Sequence, residues 1–303
     1  MQKVLITGLA GFTGRHLAAE LQAHGWQVHG LGHGAAPGLE HYQPVDLCDA
    51  LAVRAAVEQV QPDAVVHLAA IAFVAHGNAD AMYQVNLLGT RHLLAALAAL
   101  PRPPRRVLLA SSANVYGNST GGMLDEDTPA RPANDYAVSK LAMEHMARLW
   151  ADRLALTVVR PFNYTGRGQS VDFLLAKIVD HVRRRAPVIE LGNLDVARDF
   201  SDVRAVVQAY QQLLACDAAV GQTVNVCSGQ ARTLREVLAL AQAVGGHALQ
   251  VQVNPALVRA NEVQTLCGNP ARLRALIGAG WQVPPLEDTL RWMLQDNPEA
   301  AGA

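Results

Sequence analysis

The chain is expected to fold as an α/β protein, a parallel sheet wound with helices on both faces, and three features carry that expectation. Short apolar runs near 3–7, 27–31, 64–70, 105–111 and 155–160 alternate with helical patterns, and such alternation sets successive strands parallel with helices between them. The run Ala64-Val65-Val66-His67-Leu68-Ala69-Ala70 is almost unbroken in its apolar character, as strands covered on both faces are. At the N-terminus Val4-Leu5-Ile6-Thr7 leads into Gly8-Leu9-Ala10-Gly11-Phe12-Thr13-Gly14 and then into a helical segment from Arg15 to His24.

Three glycines at that spacing, after a strand and before a helix, permit a tight turn, close approach of a pyrophosphate and close helix packing. The helix start adds free backbone N–H groups that suit phosphate. A Rossmann-type dinucleotide site is therefore expected, with Gly8, Gly11, Phe12, Thr13 and Gly14 against the cofactor. The second strand, Val28 to Leu31, ends in Gly32-His33-Gly34, without the acidic residue that binds an NAD ribose and repels a 2′-phosphate. Arg15 and His33 can accommodate that phosphate, so NADPH is favoured, with NADH as the alternative. Asp46 and Leu47 are expected on the adenine side, although Asp46 equally suits a cap for the helical run beginning near Asp49. Leu68, Ala69 and Ala70, at the end of the third apolar run, complete the expected cofactor contacts.

With 303 residues, half of them apolar, the chain can bury a sizeable core, as one large domain or as a domain and a smaller lobe. A net charge of −1 gives no reason to expect nucleic acid or an anionic membrane as partner. Cys48, Cys216, Cys227 and Cys267 are scattered without zinc or redox spacing, so reduced thiols in a cytoplasmic protein are expected. The first strand begins close to Met1, so no signal peptide is expected. Thr90, Arg91 and His92 interrupt the apolar stretch from Val85 to Leu100, which reads as a core helix rather than a membrane span. His67 reads as a core histidine, and His24, His29, His33 and His41 fall on different elements without a cysteine or carboxylate beside them, so no metal site is expected.

After Arg160-Pro161-Phe162-Asn163 the pattern changes. A loop at Thr165-Gly166-Arg167-Gly168 leads to a helix from Val171 to Arg185, whose three terminal arginines suit a solvated helix end. Thr223-Val224-Asn225-Val226-Cys227 reads as a further sheet strand. The expected layout is a dinucleotide-binding domain over 1–164 and about 200–228, a smaller α/β C-terminal substrate lobe over about 165–199 and 229–295, and a tail over 296–303.

Tyr136 and Lys140 have the spacing of an acid/base pair. On a helix over 135–150 they share one face, about one turn apart. A phenol with an ordinary pKa near 10 needs a cation beside it to exchange protons near neutrality. A lysine one turn away, aided by an oxidised nicotinamide ring, is expected to lower that pKa by roughly one to three pH units. Composition adds weight, because Lys140 is one of only three lysines, with Lys3 and Lys177, in a chain whose other basic residues are arginines. A compact ammonium is thus placed where a guanidinium fork is the habit. Val138, Leu141, Ala142, His145 and Leu149 form an apolar stripe on the opposite face, suited to a core or an interface.

The glycine loop, the segment Ser111-Ser112-Ala113-Asn114-Val115-Tyr116-Gly117, the pair Tyr136 and Lys140, and Arg160-Pro161-Phe162-Asn163 together resemble an extended short-chain dehydrogenase/reductase. The likeness runs from residue 3 to about 295. It implies a nucleotide-linked sugar as substrate, Tyr136 as general acid/base, Lys140 on the nicotinamide ribose and Ser112 on the reacting sugar oxygen. Ser111 reads as a strand-end residue. A homodimer is also implied, paired through the helix bearing Tyr136 and the helix before it, roughly Asp80 to Leu100. Gly192-Asn193-Leu194-Asp195-Val196-Ala197-Arg198-Asp199-Phe200 is similar to a loop in the GDP-mannose branch of that family. Arg259-Ala260-Asn261-Glu262-Val263, with Gly268-Asn269-Pro270, resembles the same branch's guanosine-diphosphate pocket. Arg198 and Arg259 can fork onto phosphate oxygens, and Glu262 can accept from ribose hydroxyls or a guanine edge. Asn114 and Asn163 complete the expected substrate contacts, and the partner is a GDP-sugar.

One departure narrows the chemistry. Dehydratases of this family use a second acid/base carboxylate, generally a glutamate where Asn114 stands. Neither Asn114 nor Ala113 exchanges a proton, and Asp125, Glu126 and Asp127 fall in a polar loop before Pro129 and Pro132 that solvation explains. What remains is one proton and one hydride. That suits reduction of the C4 keto group of GDP-4-keto-6-deoxymannose to GDP-rhamnose or GDP-6-deoxytalose. A nucleotide-sugar 4-epimerase is the alternative enzyme, since Ser-Ser-Ala-x-Val-Tyr-Gly is common there too. A non-catalytic nucleotide sensor would be expected to have lost Tyr136 or Lys140.

Overall fold

The computed structural model describes residues 1–72, 78–117, 122–258 and 264–295. Its first six strands are β1 (Lys3–Thr7), β2 (Gln27–Gly32), β3 (Tyr42–Pro44), β4 (Ala64–His67), β5 (Arg106–Ala110) and β6 (Leu156–Pro161). The chain then leaves this sheet for β7 (Asn163–Thr165), β8 (Val188–Leu191) and β9 (Ala197–Asp202), and returns to it with β10 (Thr223–Val226). The large sheet runs β3-β2-β1-β4-β5-β6-β10, and every pairing in it is parallel. This is the expected doubly wound sheet. Strand order reverses between β1 and β4, and ligands of such sheets bind in the crevice at the carboxyl ends of the strands around that point.

Period-2 alternation divides each strand between two cores. Val4 and Ile6 face helices α1 (Phe12–Ala23) and α7 (Val203–Ala215), while Leu5 faces α2 (Ala50–Val60), α4 (Thr90–Ala98) and α5 (Asp135–Arg148). Both faces are covered, so the strands are apolar throughout. A third core joins α6 (Leu174–Arg183), α8 (Leu234–Gly245) and α10 (Leu286–Leu294) to β8. Beside it β9 is flanked by β7, β11 (Ala231–Thr233) and β13 (Thr265–Leu266), and β8 pairs with β12 (Gln250–Val253). The short α3 (Ala79–Tyr83) and α9 (Ala271–Ile277) complete the helices.

Several elements depart from expectation. The strand expected over 64–70 stops at His67, because the next amides turn inward: Leu68 N–H bonds Thr7 O at 3.1 Å and Ala69 N–H bonds Thr7 Oγ1 at 3.2 Å. The helix expected over 85–100 is interrupted by a π-helical turn over Gln84–Gly89. There the Asn86 amide accepts from Ile71 N–H (2.9 Å) and donates to Ile71 O (3.2 Å) and Ser139 Oγ (3.0 Å), and such widened turns commonly mark functional sites. Among the described residues no helix is long and apolar enough to cross a membrane. Arg183 is not a solvated helix end: it is half-buried and donates to Met293 O at 3.0 Å.

Of the apolar stripe on α5, Leu141 packs against the cluster around Tyr116 and Phe162, but the stripe as a whole does not face a core. Val138 is 38% exposed and Leu149 82% exposed, whereas Tyr136, Ser139, Lys140, Met143 and Glu144 are buried. Polar side chains face inward because each finds a partner there, and those partners are described below. His67 is the core histidine expected of it, with Nδ1 2.7 Å from Thr7 Oγ1 and Nε2 2.8 Å from Thr90 Oγ1. Burial pushes its pKa down to about 3, with the Lys140 charge adding to the effect. His29 and His41, apart in sequence, stack with ring centroids 4.8 Å apart.

Candidate active site

The glycine loop forms a backbone cradle. Gly8 has φ +76°, and a Cβ there would stand 2.9 Å from Ala69 N; one on Gly14 would stand 2.3 Å from Gly8 O. Only glycine lets strand, loop and helix approach this closely. Helix α1 begins at Phe12 with Gly11 as N-cap and no side-chain cap bond. Its first-turn N–H groups therefore remain available to an anion. These residues fit a dinucleotide pyrophosphate. Arg15 and His33 are exposed near the loop and past β2, respectively, with Arg15 Nε donating to Ala10 O at 3.1 Å. Leu68, Ala69 and Ala70 are half-buried beyond β4.

Asp46 and Leu47 part company. Asp46 is exposed and accepts from Cys48 N–H at 2.8 Å, while Asp49, not Asp46, caps α2. Leu47 is buried, and its carbonyl accepts from His92 Nδ1 at 2.9 Å. Phe12 and Thr13 hold a residue that sequence reasoning missed, Tyr164 on β7. Its hydroxyl lies 2.8 Å from Thr13 Oγ1, and its ring stacks on Phe12 at 6.1 Å. The glycine loop is thus tied to the strand that carries Asn163.

Ser112, Tyr136 and Lys140 meet at the carboxyl end of β5. Asn134 caps α5 by accepting from Ala137 N–H, so the helix starts one residue before Tyr136. The Tyr136 hydroxyl faces Ser112, which favours its ionised form, and Ser112 Oγ accepts from Asn114 N–H at 3.1 Å. Lys140 Nζ donates to Ala110 O at 2.8 Å. All three side chains are largely buried. Burial pushes the Tyr136 phenol up to about 12, with Ser112 pulling the other way. Lys140 falls to about 8, again chiefly through burial, with Glu144 opposing. The expected lowering of Tyr136 is therefore not a property of the protein alone. Desolvation dominates at Tyr136, and the Lys140 ammonium is held by a strand-end carbonyl.

Beneath these residues lies a polar network. Ser111 Oγ donates to Glu144 Oε1 at 2.5 Å, and Arg160 forks onto Glu144 at 2.9 and 2.7 Å. Arg160 Nη1 also donates to Tyr116 Oη at 3.0 Å, and Tyr116 Oη donates to Asn225 Oδ1 at 2.7 Å. Glu144 follows Lys140 by the same four residues that separate Lys140 from Tyr136, a repeat visible in the sequence.

Glu126, expected in a solvated loop, is a structural carboxylate instead. Its side chain is only 3% exposed, Oε1 accepts from Asn225 N–H at 2.7 Å, and Arg272 stands 3.5 Å away. Asp127 remains 83% exposed. Glu126→Ala leaves that strand amide unpaired, and an expected loss of about 1–3 kcal/mol is measurable by denaturant unfolding.

On the substrate side, Asn114 lies half-buried in the 3-10 turn Ala113–Tyr116, and Asn163 is exposed at the start of β7. Arg198 lies on β9, with Nη1 2.8 Å from Ala197 O. Its neighbour Asp199 is wholly buried and accepts from Ser228 N–H, Ser228 Oγ and Gly229 N–H at 2.6–2.8 Å. This pins β9 to the end of β10. Burial raises the Asp199 pKa, and those hydrogen bonds oppose the rise. Arg259 and Glu262 lie outside the described residues.

The chain belongs to the NAD dependent epimerase/dehydratase family, whose model matches residues 4–227. It is an enzyme of the extended short-chain dehydrogenase/reductase type. It is 30% identical to a GDP-6-deoxy-D-talose 4-dehydrogenase from Aggregatibacter actinomycetemcomitans, covering 97% of this chain and 98% of that one. Identity to a GDP-6-deoxy-D-mannose reductase from Pseudomonas aeruginosa is 35%, with 97% of each chain covered. Among solved structures, a Burkholderia cenocepacia J2315 protein provisionally called an epimerase is 52% identical with a TM-score of 0.91, covering 97% of both chains. The Pseudomonas aeruginosa RMD complexed with NADPH is 33% identical with a TM-score of 0.83, covering 97% of this chain and 96% of that one.

Proposed function

We propose that the protein reduces the C4 keto group of GDP-4-keto-6-deoxymannose with NADPH, giving GDP-rhamnose or its C4 epimer, GDP-6-deoxytalose. The observation that carries the reading is that Ser112, Tyr136 and Lys140 are buried together at the end of β5, beside the turn Ala113–Tyr116, which has no carboxylate. Two relatives whose names specify GDP-linked 6-deoxy sugars support it.

A bound reduced nicotinamide supplies the hydride. Ser112 and Tyr136 hold the carbonyl oxygen, and Tyr136 gives it a proton as charge develops there. Lys140, as an ammonium, stabilises the phenolate left behind. Arg198, with Arg259 and Glu262, takes the diphosphate and nucleoside. NADPH is favoured by exposed Arg15 and His33 and by the missing carboxylate after β2. NADH is the alternative. Exposed Leu88, Val138 and Leu149 near or on α4 and α5 support a homodimer through those helices.

The test incubates the purified protein with the keto sugar and either reduced cofactor, and identifies the product by NMR. Cofactor oxidation with one new C4 hydroxyl is the expected result. Bound NAD surviving purification, with turnover of a 4-hydroxy sugar and no added reductant, would move the reading to the 4-epimerase.

A further inference from the structure

Three consecutive residues at the exit of β5 each meet a side chain on one face of α5. Ala110 O accepts from Lys140, Ser111 Oγ donates to Glu144, and Ser112 faces Tyr136. Tyr136, Lys140 and Glu144 sit at four-residue steps, so they follow one another down successive turns of the helix. Ser111 is 3% exposed and Glu144 1% exposed, so both lie below the surface that substrate can reach.

We propose that Glu144, anchored by Ser111 and Arg160, is a positioning residue that locks the end of β5 onto α5 and so holds Lys140 and Ser112 in register with Tyr136. The inference rests on the reading of Tyr136 and Lys140 as an acid/base pair. Its geometry is specific. Glu144 takes one hydrogen bond from the residue beside Ser112 and two from Arg160 on β6, the strand next to β5. A buried carboxylate accepting three such bonds is held in one orientation. Arg160 is itself held by Tyr116, so the anchor reaches the turn that carries Asn114.

Charge supports the same assignment. The groups facing Lys140 are Glu144 and Tyr136 from α5 and His67 from β4, with Arg160 from β6 and Tyr116 behind Glu144; Glu126 lies beyond Tyr116. His67, with its pKa near 3, stays neutral through the working range, and Tyr136, near 12, keeps its proton. Glu144 is thus the group that sustains the ammonium against burial.

The chain has only three lysines, so ¹³Cε-lysine NMR of the protein without cofactor follows Lys140 directly. In Glu144→Gln the Lys140 midpoint is expected to move to lower pH by about one pH unit or more. The alkaline limb of kcat should move with it, with KM for the keto sugar within about twofold of wild type. Glu144→Asp keeps the charge and should return most of that shift. Because Gln leaves Arg160 without its counter-ion, the variant can fail to fold. Ser111→Ala then decides: kcat about tenfold lower at unchanged KM is expected, with recovery in Ser111→Thr. A Lys140 midpoint unchanged in Glu144→Gln, or wild-type kcat in Ser111→Ala, overturns the proposal. A shifted Lys140 in a protein that turns over no keto sugar would leave the lock standing and sink the functional reading instead.

Discussion

Tyr136→Phe is expected to cut the rate of keto-sugar reduction about a hundred- to ten-thousandfold, the usual worth of a positioned proton donor, while cofactor affinity stays near wild type. The substitution removes one hydroxyl from a ring that is 8% exposed and leaves its packing intact. Ser112 loses its partner, and the carbonyl oxygen loses its proton source. Steady-state cofactor oxidation beside a cofactor-binding titration separates the two effects; a fall in binding as large as the fall in rate would contradict the assignment. The wild-type pH profile follows from the same site. Lys140 is lowered to about 8 by burial, so its ammonium is present below that pH and lost above it. Tyr136, raised to about 12, remains a proton donor throughout. Reduction should therefore decline above about pH 8 with the slope of one proton, and a rate still level well above that pH would count against the role of Lys140.

Gly14→Ala is expected to abolish productive cofactor binding and to destabilise the fold by about 1–3 kcal/mol, the range for an atom forced into a filled space. The new Cβ would stand 2.3 Å from Gly8 O, 2.6 Å from Leu9 O and 2.7 Å from Leu9 Cα, all of them backbone atoms. No side-chain rotation relieves such a clash. The loop cannot retreat either, since Gly8 already lies against the backbone of Leu68 and Ala69. The start of α1 must then shift, and its N–H groups leave the phosphate position. Thermal unfolding and a cofactor titration would register both effects; a variant that binds cofactor normally would show that the cradle is not the phosphate site.

Much of the fold could be read from the chain because its signals are local. Continuous apolar runs, the glycine spacing and the four-residue step from Tyr136 to Lys140 each describe neighbours along the backbone, and the sheet, the cradle and α5 follow from them. The errors share a cause as well. Hydrophobicity alone could not place α5, because its buried face mixes Ala137, Met143 and Ala147 with Tyr136, Ser139, Lys140 and Glu144, while Val138 and Leu149 of the apolar stripe are exposed. Glu126 looked solvated because its partner, the Asn225 amide, lies 99 residues away.

By itself the sequence determined a doubly wound α/β enzyme with a dinucleotide loop, a tyrosine and lysine on one helix face, and no carboxylate at Ala113 or Asn114. Only the tertiary structure decided that Glu144 bonds Ser111 and Arg160, that Tyr164 ties the glycine loop to β7, and that Tyr136 holds its proton tightly in the protein alone. The reason is physical. Helix spacing and strand alternation are set by neighbouring residues, whereas a pKa and a buried ion pair depend on which distant strands exclude water around a group.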